Sequence, residues 1–152
     1  MSAATDAWLT GTSEETEALA ARLLGAPPPA GVPCRVVELS GDLGSGKSTF
    51  ARGALRALGV RGPIRSPSYT LLETYSLPAN LTAIHLDLYR LRDPQELEHL
   101  GLSDYYLPGH LWLIEWPERG VGRLPSPDLR FEFSIEKCGH RIQRIEVSTP
   151  TK

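Results

Sequence analysis

Apolar positions along this chain recur with two periods. From Thr12 to Leu24 the spacing is helical: Leu19, Leu23 and Leu24 fall on one face, and Thr12 with Glu15 forms a capping box. Pro27, Pro28, Pro29, Gly31 and Pro33 then forbid regular structure, which predicts a linker within the domain. Arg35 to Leu39 reads as a short strand, Gly41 to Lys47 as a glycine-rich turn, and Ser48 to Leu58 as a helix stopped by Gly59. Gly62 to Ser68 is a loop. Tyr69 to Leu77 and Leu81 to Tyr89 are apolar, partly β-branched or aromatic runs parted by Pro78, Ala79 and Asn80, the pattern of a hairpin. Asp93, Pro94 and Glu96 open a third predicted helix running to about Leu100. Leu111 to Ile114 is continuously apolar, as in a strand buried on both faces. Leu129, Phe131, Phe133 and Ile135 alternate with polar residues, and Arg141 to Val147 is expected to pair with that strand after a turn at Gly139.

Composition narrows the class. At 152 residues the chain fits one domain, residues 1–152, able to bury a core without staples. A net charge of −2 gives the whole chain no electrostatic case for binding nucleic acid or an anionic membrane by itself. Cys34 and Cys138 are far apart and lack metal-ligand spacing, so two reduced thiols are expected. Met1 to Leu9 has neither the basic nor the apolar region of a signal peptide, and no apolar stretch approaches the ~20 residues of a membrane span. The expectation is a cytoplasmic protein with no membrane partner. Three lysines stand against thirteen arginines, so a retained lysine hints at a specific job.

Gly41-Asp42-Leu43-Gly44-Ser45-Gly46-Lys47-Ser48 matches G-x-x-x-x-G-K-[ST], the phosphate-binding loop, between a predicted strand and a predicted helix. Glycines let backbone N–H groups ring phosphates without a Cβ in the way. The helix start adds unpaired N–H groups and its positive end. Lys47 is a point charge able to reach the β- and γ-phosphates, where arginine's planar fork is a poor substitute. Ser48 offers a hydroxyl to Mg²⁺. The motif predicts ATP with Mg²⁺, cradled by Asp42, Leu43, Gly44, Ser45, Gly46, Lys47, Ser48 and Thr49. Strand, phosphate loop, helix, then mostly strands predicts an α/β fold: a P-loop NTPase-like three-layer sandwich around a mixed sheet, parallel in its core and antiparallel at its edge.

Such a site needs an acid at a neighbouring strand end. Asp87 follows Ala83-Ile84-His85-Leu86, and Glu115 follows Leu111-Trp112-Leu113-Ile114. Glu115 fits better the acid ending a buried central strand; which of the two touches the metal stays open. Trp116 could line the nucleotide site or pack a loop. Arg52 and Arg56 form either a solvated face or a partner surface. His85 alternates with apolar positions, which favours a structural over a catalytic role.

Four blocks in order, Gly41-Asp42-Leu43-Gly44-Ser45-Gly46-Lys47-Ser48-Thr49, Ser66-Pro67-Ser68-Tyr69-Thr70, His85-Leu86-Asp87-Leu88-Tyr89-Arg90-Leu91 and Glu115-Trp116-Pro117-Glu118, closely resemble the bacterial TsaE (YjeE) family. Those proteins are ATPases required for threonylcarbamoyladenosine in tRNA. The resemblance implies Ser48 and Glu115 as magnesium ligands and Asp87 as holder of the metal's water or the attacking water. It makes Lys47, Asp87 and Glu115 the catalytic set. It implies a switch-like loop at Ser66 to Thr70, Trp116 beside the nucleotide, and base contacts near Thr16 and Arg141. The implied partners are TsaD and TsaB, with tRNA met through the complex. The family usually has Thr where this chain has Ser68, which keeps the hydroxyl.

Two other functions share the phosphate loop. A small-molecule kinase would need a lid over the phosphates; the stretch Arg119 to Arg130 is the nearest candidate, and Pro125 and Pro127 break it. A nucleotide-gated binding module would hold ATP with little hydrolysis. Arg65, Arg90 and Arg119 lie near the motifs, and each reads first as a surface or salt-bridge residue rather than an arginine finger.

Overall fold

The computed structural model describes residues 6–26, 31–145 and 147; Pro27, Pro28 and Pro29 of the expected linker and Glu146 of the last expected strand lie outside them. The elements in order are β1 (Ala7–Thr10), α1 (Ser13–Leu24), β2 (Arg35–Gly41), α2 (Lys47–Ala57), β3 (Leu72–Leu77), β4 (Leu81–Asp87), β5 (Leu111–Glu115), β6 (Leu129–Glu136) and β7 (Gly139–Ile145), with 3₁₀ turns between several of them.

The helix signals act as read. Thr12 accepts from the Glu15 N–H, and the Glu15 carboxylate accepts from the Gly11 N–H, one residue before the cap. At the end of α2, Gly59 takes φ +107°, its N–H donates to the Arg56 carbonyl, and the Val60 N–H donates to the Leu55 carbonyl. That is a Schellman stop, which a left-handed glycine permits. The hairpin is found too, but β3 begins only at Leu72, because Leu71 stands at φ +67°. Ala79 and Asn80 are both left-handed, which suits a tight hairpin turn. The expected helix after Asp93 is instead a 3₁₀ run, Pro94–Leu100, capped by Asp93 and ended at Gly101.

All seven strands form one sheet in the order β1-β7-β6-β2-β5-β4-β3. The central strands β6, β2, β5 and β4 pair in parallel, while β7 and β1 on one side and β3 on the other pair antiparallel. Strand alternation splits the core in two. Val37, Leu39, Leu113, Phe131, Phe133 and Ile142 face α1 and α2, whereas Val36, Ile84, Leu86, Trp112 and Ile114 face the 3₁₀ turns and loops around Leu91 and Leu97. The three expected layers are present, with 3₁₀ turns in place of α-helices on the second face. The helices approach closely because Gly53 has no side chain: a Cβ there would stand 2.5 Å from Cα of Glu17. Arg52 bonds Glu17 across the same contact at 2.7 Å and so serves the helix pair, whereas Arg56 donates to the Val60 carbonyl just past the end of α2.

Both cysteines are free thiols, Cys34 buried and Cys138 exposed. Burial first, then the charge of Asp128, pushes the Cys34 thiol up to about 11 from its ordinary 9.0. The unfolded thiol therefore ionises first. The stability from this group is present below pH 9.0 and lost as pH rises towards 11. Alkylation at pH 8 should label Cys138 rapidly and Cys34 only on unfolding. Two equally fast thiols would contradict this.

Candidate functional site

Four chain segments converge at the C-terminal ends of the parallel strands, the position where open α/β sheets bind ligands. β2 ends at Gly41 and runs through the glycine loop into α2, whose N-cap is Gly46 at φ +107°. β4 ends at Asp87 and β5 at Glu115, and these two residues are paired neighbours across the sheet. A cleft of about 580 Å³ opens there. It is lined by Leu43, Gly44, Gly46, Lys47, Ser48 and Thr49 from the loop and helix, by Asp87, Glu115 and Trp116 from the strand ends, and by Ser66 and Ser68. Asp42 and Ser45 are not among the residues that line it: the Asp42 carbonyl accepts from Lys47, and Ser45 lies beneath the loop, fully buried, with its hydroxyl unpartnered among the described residues. No atom stands within 4 Å of where a Cβ on Gly44 would be, so the loop's backbone faces open cleft at that residue.

The polar geometry is specific. Ser48 Oγ donates to the Glu115 carboxylate, 3.0 Å from Oε1 and 3.1 Å from Oε2. His85 Nε2 meets Oε2 of the same carboxylate at 2.5 Å. Asp87 Oδ1 accepts the Tyr89 N–H at 3.1 Å, and Oδ2 accepts from Ser66 Oγ at 3.3 Å. Lys47 is 4% exposed; its ammonium donates to the carbonyls of Gly41 and Asp42 and lies 4.5 Å from the centre of the Trp116 ring. Burial pulls the Lys47 pKa down, against the opposing charges of Glu115, Asp87, Glu118 and Asp42. Burial pushes Asp87 up, the Tyr89 N–H opposes, Glu115 adds to the rise, and His85 and Ser66 oppose.

Trp116 stands at φ +58°, in the left-handed region, and its ring packs against Tyr89 at 5.0 Å between centroids. That conformation is costly for a residue with a Cβ, and the Tyr89 contact helps to hold it. The arrangement can cradle a polyphosphate and offer a hydroxyl and carboxylates to a hard divalent cation. Among the described residues no three His, Cys, Asp and Glu side chains form a ready-made metal centre. A cation held here would draw further oxygen ligands from phosphate and water, as Mg²⁺ commonly does.

Thr16 and Arg141 are not brought to the cleft. Thr16 is buried on α1, its hydroxyl within bonding distance of Thr10 Oγ1 at 2.7 Å and the Thr12 carbonyl at 3.2 Å. Arg141 falls on the wrong face of β7, because alternation sends His140 and Ile142 to the helix side and Arg141 to the other. Their neighbours Ser13 and His140 reach the cleft instead. Sequence reading also passed over Tyr89; its place two residues past a strand-end acid was the available signal. Arg90 lines the cleft with its guanidinium over the Tyr69 ring, Arg119 lies over Tyr89, and among the described residues neither makes a salt bridge. The stretch from Val121 to Pro127 lines a separate cleft with Glu38, Ser40 and Arg130, and does not cover the phosphate loop.

The profile of the family described as threonylcarbamoyl adenosine biosynthesis protein TsaE matches residues 10–144. The tRNA threonylcarbamoyladenosine biosynthesis protein TsaE of Haemophilus influenzae is 48% identical over 110 residues, 72% of this chain and 69% of that one. The protein of the same name from Bacillus subtilis is 35% identical over 138 residues, 91% of this chain and 82% of that one. Among solved structures, Bacillus subtilis YdiB superposes with a TM-score of 0.73 at 27% identity, covering 95% of this chain and 87% of that one. No helix among the described residues is long and apolar enough to cross a membrane.

Proposed function

Because the chain belongs to the TsaE family, we propose that it is a Mg²⁺-dependent ATPase serving threonylcarbamoyladenosine modification of tRNA in the cytoplasm, together with TsaD and TsaB. The observation that carries the chemistry is Ser48 held by both oxygens of Glu115 immediately after Lys47. A hydroxyl at the first turn of the loop's helix, facing a strand-end carboxylate, is the donor set by which P-loop enzymes hold magnesium.

The roles follow from position. Lys47 would turn from the Gly41 and Asp42 carbonyls to the phosphates. Ser48 and Glu115 would hold the metal, which would neutralise phosphate charge there. Asp87, one strand over, orients the attacking water, and Ser66 and Ser68 carry its hydrogen bonding into the loop before β3. Trp116 covers Lys47 and excludes solvent from one side. The placement of Val121 to Pro127 away from the phosphate loop speaks against a kinase lid.

Glu115→Ala should raise the Mg²⁺ concentration needed for tight ATP binding by about tenfold or more, in line with losses on disturbing metal sites. Titration calorimetry at graded Mg²⁺ reads this directly. An unchanged Mg²⁺ requirement would remove Glu115 from the metal site. The wider reading is tested by phosphate release from the protein alone, with TsaB, with TsaD and with both. No arginine stands free over the phosphate loop among the described residues that line it, Arg90 being stacked on Tyr69. Slow turnover alone and stimulation of about tenfold or more by the assembly are expected, since a partner can supply an arginine or order Ser66 to Thr70. Fast turnover that no partner changes, or a phosphorylated metabolite, defeats the proposal.

A further inference from the structure

His85 is 1% exposed and takes no part in the roles just given. It lies on β4 two residues before Asp87, opposite Leu113 on β5 and Glu73 on β3. Burying an imidazole this deeply costs free energy unless its polar atoms are used. Only one is used. Nε2 meets Glu115 Oε2 at 2.5 Å, whereas Nδ1 is buried without a partner among the described residues. A carboxylate accepts and does not donate, so the proton of this contact sits on Nε2.

Glu115 is thus addressed from two sides. Ser48 approaches both oxygens nearly equally, at 3.0 and 3.1 Å, and by itself does not choose between them. His85 does choose, because it touches Oε2 alone. We propose that His85 is the positioning residue of the metal site: its Nε2–H pins Oε2 of Glu115, which would leave Oε1 the freer oxygen for a bound cation. The inference rests on the reading of Glu115 as a magnesium ligand. A histidine that orients a carboxylate is the mirror of the carboxylate that orients a ligating histidine, and partners of this kind are worth ~10–100-fold in metal affinity or activity.

The test uses His85→Leu, which keeps bulk and loses the donor, and His85→Gln, whose amide N–H can reach the same oxygen. The Mg²⁺ concentration for half-maximal strengthening of ATP binding is read by calorimetry, beside each variant's thermal midpoint. His85→Leu should raise that concentration ~10–100-fold, and His85→Gln should return it to within ~3-fold of wild type. Loss of stability in both variants with no change in Mg²⁺ requirement makes His85 a core residue only and overturns the inference. Equal impairment of the two variants overturns it as well. A wild type indifferent to Mg²⁺ removes the reading of Glu115 and the inference together, which separates the two failures. Nitrogen NMR of the wild-type imidazole needs no variant to fold: the proton is expected on Nε2, and a proton on Nδ1 alone overturns the inference.

Discussion

Lys47→Ala should lower ATP affinity by about 30- to 4000-fold, the range for truncating one partner of a buried charged contact, and leave the domain folded. The size of the effect follows from where the ammonium sits. It is buried under Trp116, bonded among the described residues only to the carbonyls of Gly41 and Asp42, and its charged form is already disfavoured by burial. A polyphosphate in the cleft would give it full anionic partners in a poorly solvated place, where such contacts are strong. Nothing else in the loop can substitute, since Ser45, Ser48 and Thr49 bring hydroxyls and no charge. Although it stands in a loop, Lys47 is buried, so its removal bears on stability as well as on binding. Two terms then compete in the variant. Removing a desolvated ammonium relieves a cost, while losing its hydrogen bonds and leaving Asp87 and Glu115 without their cation adds one. Each is about 1–3 kcal/mol, so their difference moves the thermal midpoint by only a few degrees in a domain of this size. Calorimetry with Mg²⁺ and ATP and a thermal melt measure both. Wild-type affinity in this variant would end the phosphate-site assignment.

What could be read from the sequence divides by the range of the interaction. The loop from Gly41 to Ser48 is legible because its pattern fixes residue types at nearly consecutive positions. Leu111 to Ile114 is legible because a strand covered on both faces has no polar side to show. β1 was not legible. It is four residues long, its periodicity is too short to register, and it exists because β7, more than a hundred residues on, pairs with it. Sheet order likewise decides which residues past the motifs reach the cleft. His140 arrives and Arg141 does not, a difference of one residue in a period of two. The bond between His85 and Glu115 has no local pattern at all, since it joins adjacent strands thirty positions apart in sequence. The 3₁₀ run after Asp93 shows the opposite limit: its cap was legible, but the cap is common to both helix types, and Gly101 ends the run after two turns.

Asp87→Asn should slow phosphate release about 10²–10⁴-fold, the range for losing a group that takes or orients a proton in the transition state, while ATP affinity changes by less than ~3-fold. The distinction from Glu115 is geometric. Both acids end parallel strands and are paired neighbours, but their bonds point to different parts of the site. Glu115 binds Ser48, at the start of the phosphate-loop helix. Asp87 binds Ser66, which in turn lies 3.2 Å from Ser68, so it faces the loop on the far side of the cleft. Burial makes its carboxyl less acidic than usual, and a carboxylate of raised pKa is the better acceptor of a water proton. The Tyr89 N–H fixes one of its oxygens, which orients the other. Asparagine keeps that anchor through its carbonyl, and the Ser66 hydroxyl can turn to suit the amide, so the change removes charge and basicity with little disturbance of shape. Single-turnover phosphate release at saturating Mg²⁺ and ATP, set against the affinity from calorimetry, separates the two steps. If affinity fell in proportion to turnover, Asp87 would be a second metal ligand like Glu115; if neither changed, the water would have to be held from Ser66 or Ser68, or by a residue a partner brings.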